Sequence, residues 1–408
     1  MTVTGKTVKG QSVKGWCPGA WKPMASGDGL VVRVRPRLAR LNRAQVEGLC
    51  GLALRYGSGL VDVTNRANLQ VRGVAEGAHE AVLEGLAGLG LLDADPETEG
   101  RRNVVVAPDW DEGDLNWRLA KALVARLGDL PELPVKFGFA VDAGDVAVLR
   151  DVPADIRLEI AQGRLVVRAD GAAAGRVVNE ADAVDRVVEL ARWFAGARLE
   201  VEEDGSGRPI LRAPTRMAKV LREVDLPEVW RGAGAGWVVS GHHSGHHSTH
   251  HSGHHSGHLP GPTRLGPMVG LPFGQIAAEA LPRVMDASGA RAMRVTPWRC
   301  LILEGGAPVQ DPAILTDPED PLLTTDACPG APFCAAASVE TRAVARRLAR
   351  KGRSLHVSGC AKGCARATPA NLTLVGRDGS FDLVEAGHAW DEPSQHGLSP
   401  DHLPTGTT

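Results

Sequence analysis

GLVDVTNRANLQVRG, Gly59 to Gly73, reads as a strand, a turn carrying Asn65, and a second alternating strand that stops at glycine. ARAMRVTPWRCLILEG, Ala290 to Gly305, repeats that pattern. Val63-Thr64 aligns with Val295-Thr296, and Gly73 with Gly305, at one constant offset. A helical pattern precedes each copy, over Arg43–Tyr56 in the first and Phe273–Ser288 in the second. Ahead of the first helix, GLVVRVRP (Gly29 to Pro36) alternates with period two, its arginines on one face. A duplicated core closing around a central site is the expected architecture.

Later elements echo each other as well. LPVKFGFAVDAG (Leu133 to Gly144) is a strand entering a turn, and DIRLEIAQGRLVVRA (Asp155 to Ala169) reads as a hairpin. RSLHVSGCAKGC and NLTLVGRDGSFDLVEAG take the corresponding places in the second half. Helices are expected over Leu115–Leu127, Glu180–Phe194 and Ala335–Arg350. Strand pairs with intervening helices, rather than strict alternation, point to an α+β fold with mixed or antiparallel sheets. The expected units are 13–75, 76–238, a linker at 239–262, 263–307, 308–390 and a flexible tail at 391–408.

The 408 residues suffice for two or three domains with real cores, and 43% hydrophobic with 23% charged is ordinary for a globular protein. A net charge of -2 gives no basic field for nucleic acid. The N-terminal segment lacks the apolar core of a signal peptide and no stretch reaches membrane-spanning length, so a cytoplasmic protein is expected. Ser240 to His258 holds nine of the fourteen histidines and no apolar residue. It reads as a surface spacer, with weak metal scavenging as the alternative.

The chemistry lies in four cysteines spaced C-x5-C-x25-C-x3-C: Cys328 and Cys334 in ACPGAPFC, Cys360 and Cys364 in SGCAKGC. Two glycine-rich turns with two thiolates each can close one cubane iron–sulfur cluster. Cys334 is expected to precede a helix directly, whose positive end favours thiolate. Structural zinc and buried or redox-active thiols are the alternatives, though zinc sites usually use shorter knuckles. Cys17, Cys50 and Cys300 stand apart, and Cys50 sits on a helix beside Leu49 and Leu52, a core position.

Arg33, Arg35, Arg66, Arg72, Arg102, Lys136, Arg294 and Arg299 lie at strand ends or in turns. As a set they suit a ligand with several carboxylates, since guanidinium binds carboxylate bidentately; singly, each is as easily a solvated face. Trp16, Trp21, Trp298 and Trp390 could wall a flat ligand or simply pack.

In combination these motifs resemble the nitrite/sulfite reductase ferredoxin-like family, from about Val13 to about Gly387. VTNRANLQVRG carries its T-x-R-x-x-[IL]-Q segment, RRNVV its R-N-V strand start, LPVKF its L-P-x-K-F, and the two cysteine boxes follow. WCPGAWKPMASGDGLVVRVRP and MRVTPWR tip the resemblance toward the synthase branch of the aerobic cobalamin pathway. It implies ferredoxin-like half-domains at 13–75 and 263–307, and one 4Fe–4S cluster on Cys328, Cys334, Cys360 and Cys364, with Cys364 at the bridging position. It also implies that Arg66, Arg102 and Lys136 address carboxylates of a tetrapyrrole substrate, and from the basic set Arg33, Arg35, Arg294 and Arg299 are expected to bind it with them. In that branch precorrin-3A is hydroxylated by dioxygen at C20 with closure of a lactone, electrons arriving from a donor ultimately reduced by NADH. A second, mononuclear non-haem iron is implied, with His79, His356 and His388 as candidate ligands. The reductases hold sirohaem and carry K-F-K. Here the chain reads Lys136-Phe137-Gly138, which disfavours sirohaem chemistry. A non-catalytic tetrapyrrole carrier with a structural metal is the remaining alternative.

Overall fold

The computed structural model describes residues 18–197, 199–203, 209–212, 214–231, 237–239 and 258–403. Trp16, Cys17 and all but the last histidine of the His-rich segment lie outside the described residues. The first unit runs β1 (Met24–Ser26), β2 (Gly29–Val34), β3 (Arg40–Asn42), α1 (Arg43–Tyr56), β4 (Leu60–Val63) and β5 (Leu69–Val74), then α2 (His79–Gly88) and α3 (Pro96–Arg101). The second runs β6 (Val104–Val106), α4 (Leu115–Ala125), β7 (Phe139–Asp142), β8 (Ile156–Ala161), β9 (Arg164–Ala169), β10 (Ala174–Val177) and α5 (Glu180–Gly196). It closes with the hairpin β11 (Leu199–Glu203) and β12 (Pro209–Arg212), the turn of helix α6 (Met217–Val220) and β13 (Trp237–Val239).

After the His-rich segment the order repeats: β14 (Gly261–Thr263), β15 (Gly266–Gly270), β16 (Gln275–Ala277), α7 (Ala280–Ser288), β17 (Ala292–Val295) and β18 (Cys300–Glu304). Last come β19 (Thr325–Ala327), α8 (Arg342–Leu348), β20 (Leu355–Ser358), β21 (Ala370–Arg377), β22 (Ser380–Gly387) and β23 (Gln395–Leu398).

The two repeats are interlocked. The antiparallel order β1-β2-β5-β4 is completed by β16, and β14-β15-β18-β17 is completed by β3, so each half lends its third strand to the other's sheet. Each lent strand follows a single turn of 3-10 helix broken by a residue at positive φ, Leu38 (48°) in one and Phe273 (57°) in the other. The helix expected over Phe273–Ser288 is corrected accordingly. Gly274 breaks its start, Gln275–Ala277 pairs with Leu60–Asp62, and α7 begins only at Ala280. That partner lies more than two hundred residues away, so no local period could reveal it.

One hydrophobic core serves both repeats. Val46, Leu49, Cys50 and Ala53 of α1 and Leu281, Val284 and Met285 of α7 are buried with the inner faces of the two sheets. α1 starts at a capping box: Asn42 accepts from the Gln45 amide, and Gln45 Oε1 accepts from the Asn42 amide. Burial pushes the Cys50 thiol up to about 12, as befits a core residue.

The other two sheets share a topology. In β6-β7-β8-β9-β10 and in β19-β20-β21-β22-β23, three parallel strands are followed by two antiparallel ones. β8–β9 turns through Gln162-Gly163 and β21–β22 through Asp378-Gly379, both pairs at positive φ, as a tight hairpin requires. α8 covers one face of the last sheet, with Val344, Ala345 and Leu348 against Val357, Leu374 and Phe381. The expected loose tail at 391–408 is corrected too. Within it, β23 pairs with β22 and Leu403 is buried in the same cluster.

Candidate functional site

Ligand loops in such sheets gather at the carboxyl ends of parallel strands. Cys328 directly follows β19, and Cys360 lies two residues beyond β20, so the two cysteine boxes leave neighbouring strand ends. At the matching ends of β6 and β7 the chain reads Ala107-Pro108 and Ala143-Gly144, without cysteine. The two sheets thus present matching strand ends, and one set carries the cysteines.

The two boxes touch. Gly359 N–H donates to Cys328 Sγ at 3.1 Å, and a Cβ on Gly359 would stand 2.6 Å from Ala337 Cβ. Glycine is required there by close approach rather than by backbone angle. Thr341 Oγ1 donates to the Cys328 carbonyl at 2.5 Å, and Ala331 N–H to Val339 O at 2.9 Å, folding the first box onto itself. Cys328 is buried, Cys334 and Cys360 are half-buried, and Cys364 is exposed. Even so, the Cys364 thiol is raised above its ordinary range, first by desolvation and then by thiolates at Cys360, Cys328 and Cys334, with Lys362 opposing. Cys364 thus lies within electrostatic reach of the other three cysteines. No three His, Cys, Asp or Glu side chains among the described residues are grouped to hold a single ion.

The helix expected from Ala335 starts instead at Arg342, and residues 331–340 are turns. Cys334 thus meets no helix N-terminus. Alanine-rich propensity at 335–337 is overridden by the Ala337 N–H to Cys334 O bond, which closes a turn.

The predicted basic residues divide into two groups. Arg66 and Lys136 come together: Arg66 Nη2 donates to the Lys136 carbonyl at 2.8 Å, and Lys136 is exposed. Arg33 is half-buried on β2 opposite Gln70. The others are held in internal ion pairs. Arg102 is buried with a bidentate grip on Asp93 and a bond to Arg35 O. Arg35 pairs with Glu99 at 2.9 Å, and its desolvation lowers it to about 10. Arg294, buried, pairs with Glu304 at 3.0 Å, donates to the carbonyls of Pro108 and Trp110, and lies over the Trp110 ring. Each of these three would take a cation from a buried carboxylate if it turned to a ligand. Alternating strand positions cannot distinguish such braces from ligand contacts. Arg72 is similarly paired with Asp28 at 3.0 Å.

Arg299 pairs with Asp326, which also takes Arg366 Nη1 at 2.7 Å. Beside them His356 is fully buried on β20, level with Asp326 in register, and neither ring nitrogen has a hydrogen-bond partner. Desolvation first, then Arg366 and Arg299, lower His356 to about 4. Two guanidinium groups beside a neutral imidazole are a poor setting for a cation. Of the other candidate iron ligands, His79 bonds to Ala20 O at 2.8 Å, and His388 bonds to Asp391 and stacks on Trp390. Trp21 donates to Asp93 O, and Trp298 stacks on His258, the last histidine of the His-rich segment. Arg366, Asp326, Thr341 and Arg342 escaped sequence reading. Their proximity to the cysteine boxes was the available signal.

Comparison with known proteins bears on this arrangement. Residues 22–89, from just before β1 to the end of α2, match the nitrite/sulfite reductase ferredoxin-like half domain. The interlocked repeat begins with a domain of that kind. The chain is 29% identical over 423 residues to a precorrin-3B synthase from Sinorhizobium sp, covering 92% of this chain and 83% of the relative. The structure of Mycobacterium tuberculosis NirA protein superposes with a TM-score of 0.57 at 15% identity, over 92% of this chain and 78% of that one. That likeness shows a shared fold.

Proposed function

We propose that this chain is an iron–sulfur oxidoreductase of cobalamin biosynthesis that hydroxylates precorrin-3A at C20 with dioxygen and closes the lactone, giving precorrin-3B. What supports the reading is that the two cysteine boxes leave neighbouring strand ends and meet through Gly359 N–H and Cys328 Sγ, in a chain similar along 92% of its length to a precorrin-3B synthase. The donor set fits a 4Fe–4S cluster: four thiols from two loops, and a backbone N–H already directed at Cys328 Sγ. When bound, the cluster supplies one-electron transfer. Cys328, Cys334, Cys360 and Cys364 would hold it, with exposed Cys364 on the side open to a further group.

The protein's own part is binding and orientation. Arg66 and Lys136, one half-buried and one exposed, would take carboxylates of the macrocycle, with Arg33 as a further candidate. Arg299 could join them only by releasing Asp326. Arg35, Arg102 and Arg294 would hold the frame that carries those contacts.

The reductase reading has a structural argument against it. A Cβ on Gly138 would stand 3.0 Å from Asn103 Nδ2 and 3.2 Å from its carbonyl, so the second lysine of K-F-K would require Asn103 to give way by a few tenths of an ångström. Turnover of precorrin-3A by cluster-loaded protein, with no reduction of nitrite or sulfite and no haem absorption, is the deciding assay. Six-electron reduction of either anion would overturn the proposal.

A further inference from the structure

Arg342 opens α8, immediately after Thr341, whose hydroxyl grips the Cys328 carbonyl at 2.5 Å. Its guanidinium does not return to the cysteine domain. It donates to Gln275 Oε1 on the strand lent across the repeats, and Gln275 Nε2 donates to Asp62 Oδ1 at 2.6 Å. Arg72 lies 3.7 Å from the other Asp62 oxygen. The turn between β1 and β2 grips the same cysteine box, with Ser26 Oγ and Gly27 N–H donating to Phe333 O at 3.0 and 3.2 Å. Arg342 Nε is buried without a hydrogen-bond partner, and the charges that act on the guanidinium include Asp62, Arg72, Cys328, Arg346 and Arg299. The ferredoxin-like repeat thus holds one cation at the start of α8, next in sequence to the Thr341 that grips Cys328.

We infer that Arg342 sets the reduction potential of the cluster, its charge held by Gln275 at the start of α8, next to the residue that grips Cys328, and balanced by Asp62. The inference rests on the iron–sulfur reading above. One-electron reduction adds negative charge to the cluster, so a fixed cation nearby stabilises the reduced form and its counter-charge does the reverse. Arg342 is a positioning residue for charge, not a ligand.

The test is a potentiometric titration of the anaerobically prepared full chain, followed by absorption and electron paramagnetic resonance, after iron and labile sulfide are measured. Arg342→Gln should load the same cluster but disfavour its reduction about tenfold, a shift of ~59 mV to more negative potential. Arg342→Lys keeps the charge and should stay near wild type. Asp62→Asn should move the midpoint the opposite way, and it decides the matter if Arg342→Gln fails to load. Loaded variants that leave the midpoint unchanged, or shifts of the same sign for Arg342→Gln and Asp62→Asn, overturn the assignment while sparing the cluster. Wild-type protein without iron and sulfide overturns both.

Discussion

Arg40 donates to both carboxylate oxygens of Glu304, at 2.7 and 2.9 Å, across 264 residues of sequence. Arg40 sits on the strand that the first half lends to the second, and Glu304 ends the strand next but one. Arg294 and Arg291 reach the same carboxylate at 3.0 and 3.2 Å. Glu304 is therefore the electrostatic pin of the strand exchange.

Its hydrogen bond from Arg40, above all, holds the Glu304 carboxyl down to about 2 from an ordinary 4.5. A depressed carboxylate contributes stability that is full above the unfolded-state value and lost as pH falls toward the folded one. Glu304→Gln should thus lower the unfolding free energy at pH 7, read from denaturant titration, by up to roughly 3 kcal/mol and less where water screens Arg40 and Arg291. Between about pH 4.5 and 2 that deficit should close. A deficit that persists at low pH would assign the loss to packing instead.

Removing a buried brace should differ in kind from removing a ligand contact. Arg102→Ala leaves Asp93 buried against Trp21 and half-exposed Arg37, and should cost about 3–5 kcal/mol of stability. Arg66→Ala and Lys136→Ala should fold normally and keep their iron, yet raise KM for the tetrapyrrole about tenfold each, the size of a lost charge-assisted bond. Chemical denaturation and steady-state kinetics on the three variants separate these outcomes.

Gly359→Ala should weaken cluster retention without unfolding the chain. The added methyl would meet Ala337 and push away the amide that donates to Cys328 Sγ. Loss of iron on gel filtration under anaerobic conditions is the readout. Cys328→Ser and Cys364→Ser should each abolish both the cluster and turnover, with far-UV circular dichroism unchanged.

Local pattern carried the local structure. α1 spans Arg43–Tyr56 as its period predicts, and the hairpins β8–β9 and β21–β22 lie where alternation and a Gly-bearing turn place them. The duplication and the α+β class were also legible, and so was the pairing of the two cysteine boxes with neighbouring strand ends. Contacts set at long range were not. Gln275–Ala277 became a strand because Leu60–Asp62 offered it an edge, and residues 335–341 stayed out of a helix because the cysteine box folds back on Val339. Arg102 and Arg294 read like anion ligands because their partners, Asp93 and Glu304, become neighbours only in the folded chain.

The most direct measurement is iron and acid-labile sulfide in anaerobically purified protein, taken with its absorption spectrum. At least four iron and four sulfide per chain, a broad iron–sulfur band and no haem bands are expected. Zinc without sulfide, or four thiols that titrate freely in protein reconstituted with iron and sulfide, is incompatible with four cysteines closing on one cluster.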